Sequence, residues 1–398
     1  MPLSVLLFEM ETQGVHIDEE ALSVFSKRYN AELNDLKNSI YELAGEEFNL
    51  NSPQKLGAVL FDKLKIGEGA KKSKATKAYK TTAEELEKYI DKHPIVEKIM
   101  RYRQVQKLLS TYVDGFKPLI INGKVHTTYN QVVTSTGRLS SANPNLQNIP
   151  VRTEEGKELR KLFKASAGNV LVDADYSQIE LRLLAHFSNC KELIEAYCQE
   201  RDIHTTTAAQ VFEVPEQEVT PQMRRSAKVV NFGIIYGMSA FGLSKDLGTT
   251  TKKAQEYIDR YFESYSSIKE YLNGNVEEAK EKGYTTTLLG RRRVINELKS
   301  SNYNIRAFGE RAAMNMPLQG SSADIIKLAM LAVDQKLKES GYAARLVLQV
   351  HDELIIDCPK EEAEEVAKIL KQEMENAIQL KVPLTVEVGV GENWYEAK

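Results

Sequence analysis

Two aspartates have the residue type and the setting needed to hold divalent metal ions. Asp175 lies in Val-Asp-Ala-Asp-Tyr-Ser-Gln-Ile-Glu-Leu-Arg, and Asp352 lies in Leu-Gln-Val-His-Asp-Glu-Leu-Ile-Ile. Each comes where an apolar, strand-like run ends, so the backbone can fix the carboxylate in position. Two-metal phosphoryl transfer needs hard oxygen ligands on both sides of the reacting phosphate. Either aspartate alone would more often end a strand or cap a helix. Together with the segment between them, the pair predicts metal-assisted phosphoryl transfer on a bound nucleotide.

That intervening segment, residues 220–237, has the pattern of a nucleotide-binding helix. Thr220 suits the N-cap, Pro221 suits the first turn and Gly237 suits the C-terminal stop. Cations and aromatics recur at every fourth position of one helix face: Arg224, Lys228, Phe232 and Tyr236. The cationic end, with the positive helix terminus, suits a triphosphate, and the aromatic end suits a base and sugar. The alternative is a surface helix whose aromatic residues belong to the core.

Two further features are less specific. Residues 134–150 are rich in Thr, Ser, Asn, Gln and Pro around Arg138, and such a loop can position a duplex through phosphates and minor-groove edges. A plain polar loop is the alternative. His204 is a lone histidine, which is more often structural than functional.

Composition limits the class of protein. A chain of 398 residues predicts about two or three domains or lobes. No segment has the roughly 20 apolar residues of a membrane span, and the N-terminus lacks the pattern of a secretion signal. Three cysteines without metal-ligand spacing favour buried, reduced thiols, which is typical of a cytoplasmic protein. Without an apolar span, we expect no membrane partner. The net charge is −3, but basic residues cluster, notably Lys71, Lys72, Lys74, Lys77 and Lys80.

Periodicity predicts an α+β fold whose first part is mainly helical. Helices are expected from the Asp18 cap to Gly45, from Ser52-Pro53, from a Thr82/Glu85 capping box, and from Pro94. Short extended pieces are expected around Val132-Val133.

The second part combines strands and helices. Strands are expected at 169–175, 345–350, 354–357 and 384–388. Helices are expected after a Ser177 cap, across most of 187–315, after a Ser321/Asp324 capping box, and at 361–378.

The motifs resemble those of A-family DNA polymerases. Asp-Tyr-Ser-Gln-Ile-Glu-Leu-Arg, Arg-Arg-Ser-Ala-Lys-Val-Val-Asn-Phe-Gly-Ile-Ile-Tyr-Gly and Gln-Val-His-Asp-Glu are similar to the family's three motifs. Thr-Gly-Arg-Leu-Ser-Ser with Pro-Asn-Leu-Gln-Asn-Ile-Pro adds a fourth. Their order and spacing resemble the polymerase portion of bacterial DNA polymerase I, over essentially the whole chain.

The resemblance implies a right-hand architecture with an antiparallel-sheet palm, helical fingers and a helical thumb. It implies a palm edge at 1–11, a thumb at 12–117 with a lysine tip, the first part of the palm at 118–186, fingers at 187–315, and the second part of the palm at 316–398.

The resemblance also implies roles for individual residues. Asp175, Asp352 and Glu353 would be catalytic, with Asp175, the Tyr176 carbonyl and Asp352 binding two Mg²⁺ ions, which Mn²⁺ can replace. The incoming deoxynucleoside triphosphate would contact Arg224, Lys228, Phe232, Tyr236, Glu180, His204 and Gln178, with Glu180 blocking a ribose 2′-hydroxyl. Primer-template DNA would contact Arg138, Asn145, Gln147, Arg311, Asn315, Gln319 and His351.

The expected activity is therefore DNA-directed DNA synthesis by a monomer, a nucleotidyltransferase reaction of DNA replication and repair. No proofreading exonuclease is expected in this chain, because nothing in it resembles such a site. Phe232, where Tyr is the other family choice, predicts poor use of dideoxynucleotides. A catalytically silent nucleic-acid clamp and a metal nuclease are the alternative functions.

Overall fold

The computed structural model describes residues 2–67, 70–73, 78–151 and 153–398. Lys74 and Lys77 of the lysine cluster lie outside the described residues. The helices are α1 (Pro2–Gln13), α2 (Glu19–Ala44), α3 (Pro53–Gly57), α4 (Ala83–Leu86), α5 (Pro94–Lys107), α6 (Glu154–Glu158), α7 (Ile179–Ser188), α8 (Lys191–Cys198), α9 (Ile203–Phe212), α10 (Pro221–Ile235), α11 (Ala240–Leu247), α12 (Thr251–Ser264), α13 (Ser266–Lys282), α14 (Tyr303–Ser340) and α15 (Ala363–Glu375). The strands are β1 (Val15–Ile17), β2 (Ile120–Ile121), β3 (Lys124–Val125), β4 (Thr128–Asn130), β5 (Ser140–Ala142), β6 (Phe163–Lys164), β7 (Asn169–Tyr176), β8 (Tyr284–Thr286), β9 (Arg292–Val294), β10 (Arg345–Val350), β11 (Glu353–Pro359) and β12 (Val386–Gly391).

The chain divides into two compact units, of which the smaller comprises residues 16–126 and 149–164. Its main feature is the packing of α2 on α5. The Asp18 side chain caps α2, and Gly45 ends it in the left-handed conformation, both as the sequence predicts. The apolar residues of α2 and α5 recur at spacings of three and four, so one stripe of each helix is buried. A small sheet of order β2-β3-β1-β6 completes this unit.

The larger unit comprises residues 1–15, 127–148 and 165–398. Its central antiparallel sheet has the order β10-β11-β7-β12, with α14 and α15 packed against it. The middle strand β7 is buried along most of its length, which explains the nearly continuous apolar run of residues 170–174. Helices α9, α10, α11 and α12 pack against one another in the same unit. The α+β fold class is thus confirmed.

The two predicted caps around the sheet are wrong. Ser321 and Asp324 begin no helix, since both lie within the 38-residue helix α14, where the Ser321 hydroxyl donates to the Pro317 carbonyl. Asp324 instead accepts from Arg291 Nε at 2.9 Å. Helix α7 begins after Gln178 rather than after Ser177, and Gln178 takes the left-handed conformation at φ 55°.

Three smaller predictions also fail. Residues 132–133 form no strand, and Val132 is 92% exposed. Thr82 does precede α4, but its side chain makes no cap hydrogen bond, and the Glu85 side chain pairs with Lys88. Cys190 and Cys358 are buried as expected, whereas Cys198 is exposed.

Candidate active site

The sheet brings the predicted catalytic acids to one edge. Asp175, near the end of β7, lies directly opposite Glu353, the first residue of β11. Directly opposed residues of antiparallel strands project from the same face, so these two carboxylates are neighbours. Asp352 lies in the turn before β11, and its carbonyl accepts from the Tyr176 backbone N–H at 3.1 Å. His351 makes this turn possible by adopting φ 54°.

Three side chains from distant parts of the sequence fix these acids. Ser322 Oγ, on α14, donates to Asp352 Oδ1 at 2.7 Å. Lys398 Nζ lies 2.9 Å from Asp175 Oδ2 and 2.7 Å from Glu353 Oε2. The buried Trp394 indole N–H donates to Glu353 Oε1. The carboxylates are therefore held by a hydroxyl, an indole and an ammonium group.

Negative charge is concentrated at this edge. Burial raises the pKa of Asp175, and the carboxylates of Glu353 and Asp352 raise it further, while the Lys398 ammonium lowers it. Two residues earlier on the same strand face, Asp173 is 2% exposed and lies beside Glu353. Burial raises the pKa of Asp173, and the adjacent Glu353 raises it further. Added positive charge would stabilise this cluster.

The acids fit divalent ions that are completed by a substrate. Within the described ranges, no three His, Cys, Asp or Glu side chains form a ready-made metal cage. Mg²⁺ is commonly held by one or two carboxylates together with substrate phosphates and waters, rather than by protein alone. Asp175 and Asp352 offer hard oxygens of that kind, and the Lys398 ammonium beside Asp175 shows that the site accommodates a cation.

Helix α10 has the predicted cap and the predicted face. The Thr220 side chain accepts from the Met223 N–H at 3.2 Å, and Pro221 is the first helical residue. Arg224 and Lys228 are exposed near this positive helix end, and Phe232 is partly buried further along. Gly237 follows the helix at φ 61°, a conformation that suits glycine.

Arg224 is already paired with a carboxylate. Its guanidinium contacts Asp202, which also caps α9 by accepting from the His204 N–H at 3.1 Å. Burial alone would raise the pKa of Asp202, but hydrogen bonds from Arg224, Thr205 and the His204 amide hold it at about 2. The pairing orients the guanidinium before any phosphate binds.

His204 is buried beside α10. It is 2% exposed, and its Nδ1 lies 3.0 Å from Asn231 Nδ2. Its ring centroid is 6.0 Å from that of Phe232. Burial lowers the pKa of His204 to about 4, and the charges of Lys228 and Arg224 act in the same direction, while Asp202 opposes them. The imidazole is therefore neutral at pH 7.

A buried carboxylate joins the aromatic end of α10 to the loop around Arg138. Glu180 accepts from Tyr236 Oη at 2.8 Å and from Arg138 Nη2 at 2.8 Å. Burial raises the pKa of Glu180, and both partners counter that shift. Gln178 immediately precedes α7, and its Oε1 accepts from Tyr197 Oη at 3.1 Å.

The predicted duplex-contacting residues lie in three places. Arg311, Asn315 and Gln319 are spaced by four on α14, so they share one face of that helix. A Cβ added to Gly237 would lie 2.9 Å from Arg311 Cγ, so Arg311 packs against the end of the Tyr236 segment. Asn145 and His351 are exposed. Gln147 makes an internal hydrogen bond, in which its Nε2 donates to Gln349 Oε1 at 3.0 Å.

The described part of the lysine cluster lies in the smaller unit. Lys72 pairs with Tyr79 through an isolated β-bridge, and its ammonium lies 4.3 Å from the Tyr79 ring centroid. The cation–π contact fixes one of the basic side chains on an aromatic support.

Sequence reasoning missed several residues of this site. Asp173 could have been found, because a carboxylate two positions before Asp175 on a strand must share its face. Ser322, Asn231 and Lys398 gave no local signal, since only the tertiary fold brings them to the acids or to His204.

Comparisons with known proteins identify the family of this chain. The sequence profile of DNA polymerase family A matches residues 19–396. DNA polymerase I of Bacillus subtilis is 52% identical over the whole chain, which covers 45% of that relative, and that of Geobacillus stearothermophilus is 50% identical with the same coverage. The solved POL domain of Pol1 from M. smegmatis, in complex with DNA primer-template and dNTP, superposes with a TM-score of 0.94 at 42% identity, covering all of this chain and 70% of that one. The chain thus spans about half the length of the curated relatives it matches.

Proposed function

This chain belongs to DNA polymerase family A, and we propose that it catalyses template-directed addition of deoxynucleotides to a primer 3′-hydroxyl, with release of pyrophosphate. The observation that carries the proposal is the meeting of Asp175 and Asp352 at one sheet edge, linked by the 3.1 Å hydrogen bond between the Tyr176 N–H and the Asp352 carbonyl. Acids at this edge and a cationic helix in the same unit are the parts that phosphoryl transfer from a nucleotide requires.

Asp175, Asp352 and the Tyr176 carbonyl would hold two Mg²⁺ ions, for which Mn²⁺ can substitute. When bound, such ions lower the pKa of the attacking hydroxyl and offset charge on the leaving pyrophosphate. The protein's own contribution is positional. Ser322 orients Asp352 through its 2.7 Å hydrogen bond, and the strand pairing fixes Asp175 relative to Glu353. Glu353, held by Trp394 and Lys398, supports the two ligands rather than binding substrate.

The incoming nucleotide would lie along α10. Arg224 and Lys228 would bind its phosphates, because they are exposed at the positive end of the helix. Phe232 would pack on the sugar and base. Glu180 would exclude a ribose 2′-hydroxyl, since its carboxylate is fixed by Arg138 and Tyr236 and has little freedom to move aside.

The DNA would lie across the remaining site residues. We assign residues 12–117 to a thumb, 187–315 to fingers, and 1–11, 118–186 and 316–398 to a palm. Arg138 and the α14 face of Arg311, Asn315 and Gln319 would contact the primer-template, together with Asn145, Gln147 and His351. Such contacts position a duplex without reading its sequence. The described helices include none that is long and apolar enough to cross a membrane. We propose separately that the protein is a cytoplasmic monomer.

Primer extension with single aspartate variants tests this function. Asp175→Ala or Asp352→Ala should abolish extension of a primed template with Mg²⁺ while leaving duplex affinity within about threefold of the parent. Asp259→Ala is the matched control, because Asp259 is an exposed α12 acid that accepts from its helical neighbour Gln255 at 2.8 Å. Near-normal extension by either active-site variant would refute the assignment.

The same assay separates the alternatives. Duplex binding without extension by the parent chain would indicate a clamp, and primer degradation without triphosphates would indicate a nuclease. A mismatched primer end tests proofreading: we expect this chain to leave the mismatch in place. Removal of the mismatch would show that these 398 residues carry an exonuclease.

A further inference from the structure

The buried amide of Asn231 constrains the chemistry of His204. Asn231 Nδ2 lies 3.0 Å from His204 Nδ1, and both residues are almost fully enclosed. The other end of the amide is also engaged, because the buried Thr207 hydroxyl donates to Asn231 Oδ1 at 3.2 Å. The Thr207 oxygen in turn lies 3.5 Å from Tyr265 Oη. In the structure the amide has its NH₂ group toward the imidazole and its oxygen toward Thr207.

The direction of that hydrogen bond determines where the imidazole carries its proton. An amide NH₂ can donate but cannot accept, so His204 Nδ1 must present a lone pair to it. A neutral imidazole has a single N–H, which must then be on Nε2. Among the described residues, none hydrogen-bonds Nε2, which points away from Asn231 across the ring. His204 therefore offers a neutral N–H donor on the side opposite the amide.

Beside Arg224 and Lys228, the Nε2–H group would serve as a hydrogen-bond donor to a phosphate. Arg224 and His204 share the neighbour Asp202, which contacts the Arg224 guanidinium and accepts from the His204 backbone N–H at 3.1 Å, and Lys228 lies one turn after Arg224 on α10. A phosphate oxygen accepts from an N–H but is repelled by a ring lone pair, so only one of the two neutral tautomers can help to bind it. Resting on the proposed function, we propose that Asn231 is a positioning residue that fixes His204 as the Nε2–H tautomer for hydrogen bonding to the triphosphate of the incoming nucleotide.

The tautomer can be observed without any substrate. In the 398-residue protein containing ¹⁵N-labelled histidine at pH 7, long-range ¹H–¹⁵N spectra distinguish protonated from unprotonated ring nitrogens. A His204→Ala spectrum assigns the signal among the six histidines. We expect protonation at Nε2 alone. Protonation of Nδ1 in the parent protein would overturn the proposal.

Two substitutions test whether Asn231 is responsible. Asn231→Leu has a similar size and no donor, so both neutral tautomers should become populated. Asn231→Asp presents an acceptor, so Nδ1 should become protonated. If Asn231→Asp kept Nε2 as the only protonated nitrogen, the amide would not set the tautomer and the proposal would fail.

Kinetics then test whether the tautomer serves nucleotide binding. In steady-state primer extension, Asn231→Leu should raise KM for the deoxynucleotide roughly tenfold, with a smaller change in kcat. The same substitution in a His204→Ala background should change KM by less than about twofold, because its partner is gone. An equal rise in both backgrounds would show that Asn231 acts on packing alone. Since the spectra need no substrate, absence of polymerase activity in the parent chain and failure of the tautomer assignment are separate results.

Discussion

Acidification should destabilise the folded protein through His204. The ring is 2% exposed, and its pKa is lowered from 6.5 to about 4, chiefly by burial. The folded state therefore binds a proton at His204 more weakly than the unfolded chain does. The contribution of neutral His204 to the free energy of unfolding is fully present well above pH 6.5. It is lost as the pH falls from 6.5 toward 4.

The size of the effect follows from the pKa difference. A shift from 6.5 to about 4 corresponds to roughly 3 kcal/mol at the acid limit. Between pH 7 and pH 5, before the folded ring titrates, the expected loss is about 2 kcal/mol. His204→Gln keeps a polar side chain but cannot be protonated, so this part of the pH dependence should disappear in that variant.

Urea unfolding of both proteins at pH 7 and pH 5 measures the difference. Trp394, the single tryptophan, is buried in the same unit as His204 and reports its unfolding by fluorescence. Other titrating groups are common to the two proteins, so their contributions cancel in the comparison. Equal losses in both proteins, or an NMR titration midpoint of His204 near 6.5, would refute the reasoning.

Four further predictions concern the proposed active site. Lys228→Ala should raise KM for the nucleotide at least about tenfold with little change in duplex affinity, and an unchanged KM in steady-state extension would reject its phosphate role. Glu180→Ala should increase ribonucleotide incorporation, measured by competition with the matching deoxynucleotide; unchanged discrimination would reject the steric block. Lys398→Gln removes the ammonium beside Asp175, so Mn²⁺ affinity measured by electron paramagnetic resonance should increase severalfold, whereas Lys398→Arg should not change it. Weaker Mn²⁺ binding by the Gln variant would contradict this. Phe232→Tyr should improve dideoxynucleotide incorporation, measured as chain termination during primer extension. Equal termination by the parent and the variant would contradict this prediction.

The sequence predicts several local features that neighbouring residues determine. The Asp18 cap, the Gly45 stop and the Thr220 cap are each determined by a few neighbouring residues, and the structure contains all three. The strand at 169–175 is predictable because Val170, Leu171 and Val172 are successive apolar β-formers.

The failure at Ser321 and Asp324 comes from competition with distant partners. Ser321 and Asp324 have the spacing of a capping box, but Asp324 is drawn to Arg291 and Thr287 in the β8–β9 region, and α14 continues past both residues. The ion pair of Lys398 with Asp175 joins residues 223 positions apart, which no window of sequence can reveal. Pattern reasoning therefore predicts which residues form an element, but not which remote side chains complete a site.

The length of α14 has a mechanical consequence. Its 38 residues, at about 1.5 Å per residue, span roughly 57 Å, with Pro317 inside the helix. Arg311, Asn315 and Gln319 occupy its first half, and Ser322, which holds Asp352, comes less than one turn after Gln319. Under the proposed function, a distorted base pair that displaces the Gln319 end of this face would also displace Ser322 and its hydrogen bond to Asp352, so a copying error would be transmitted to the reaction centre within one helix.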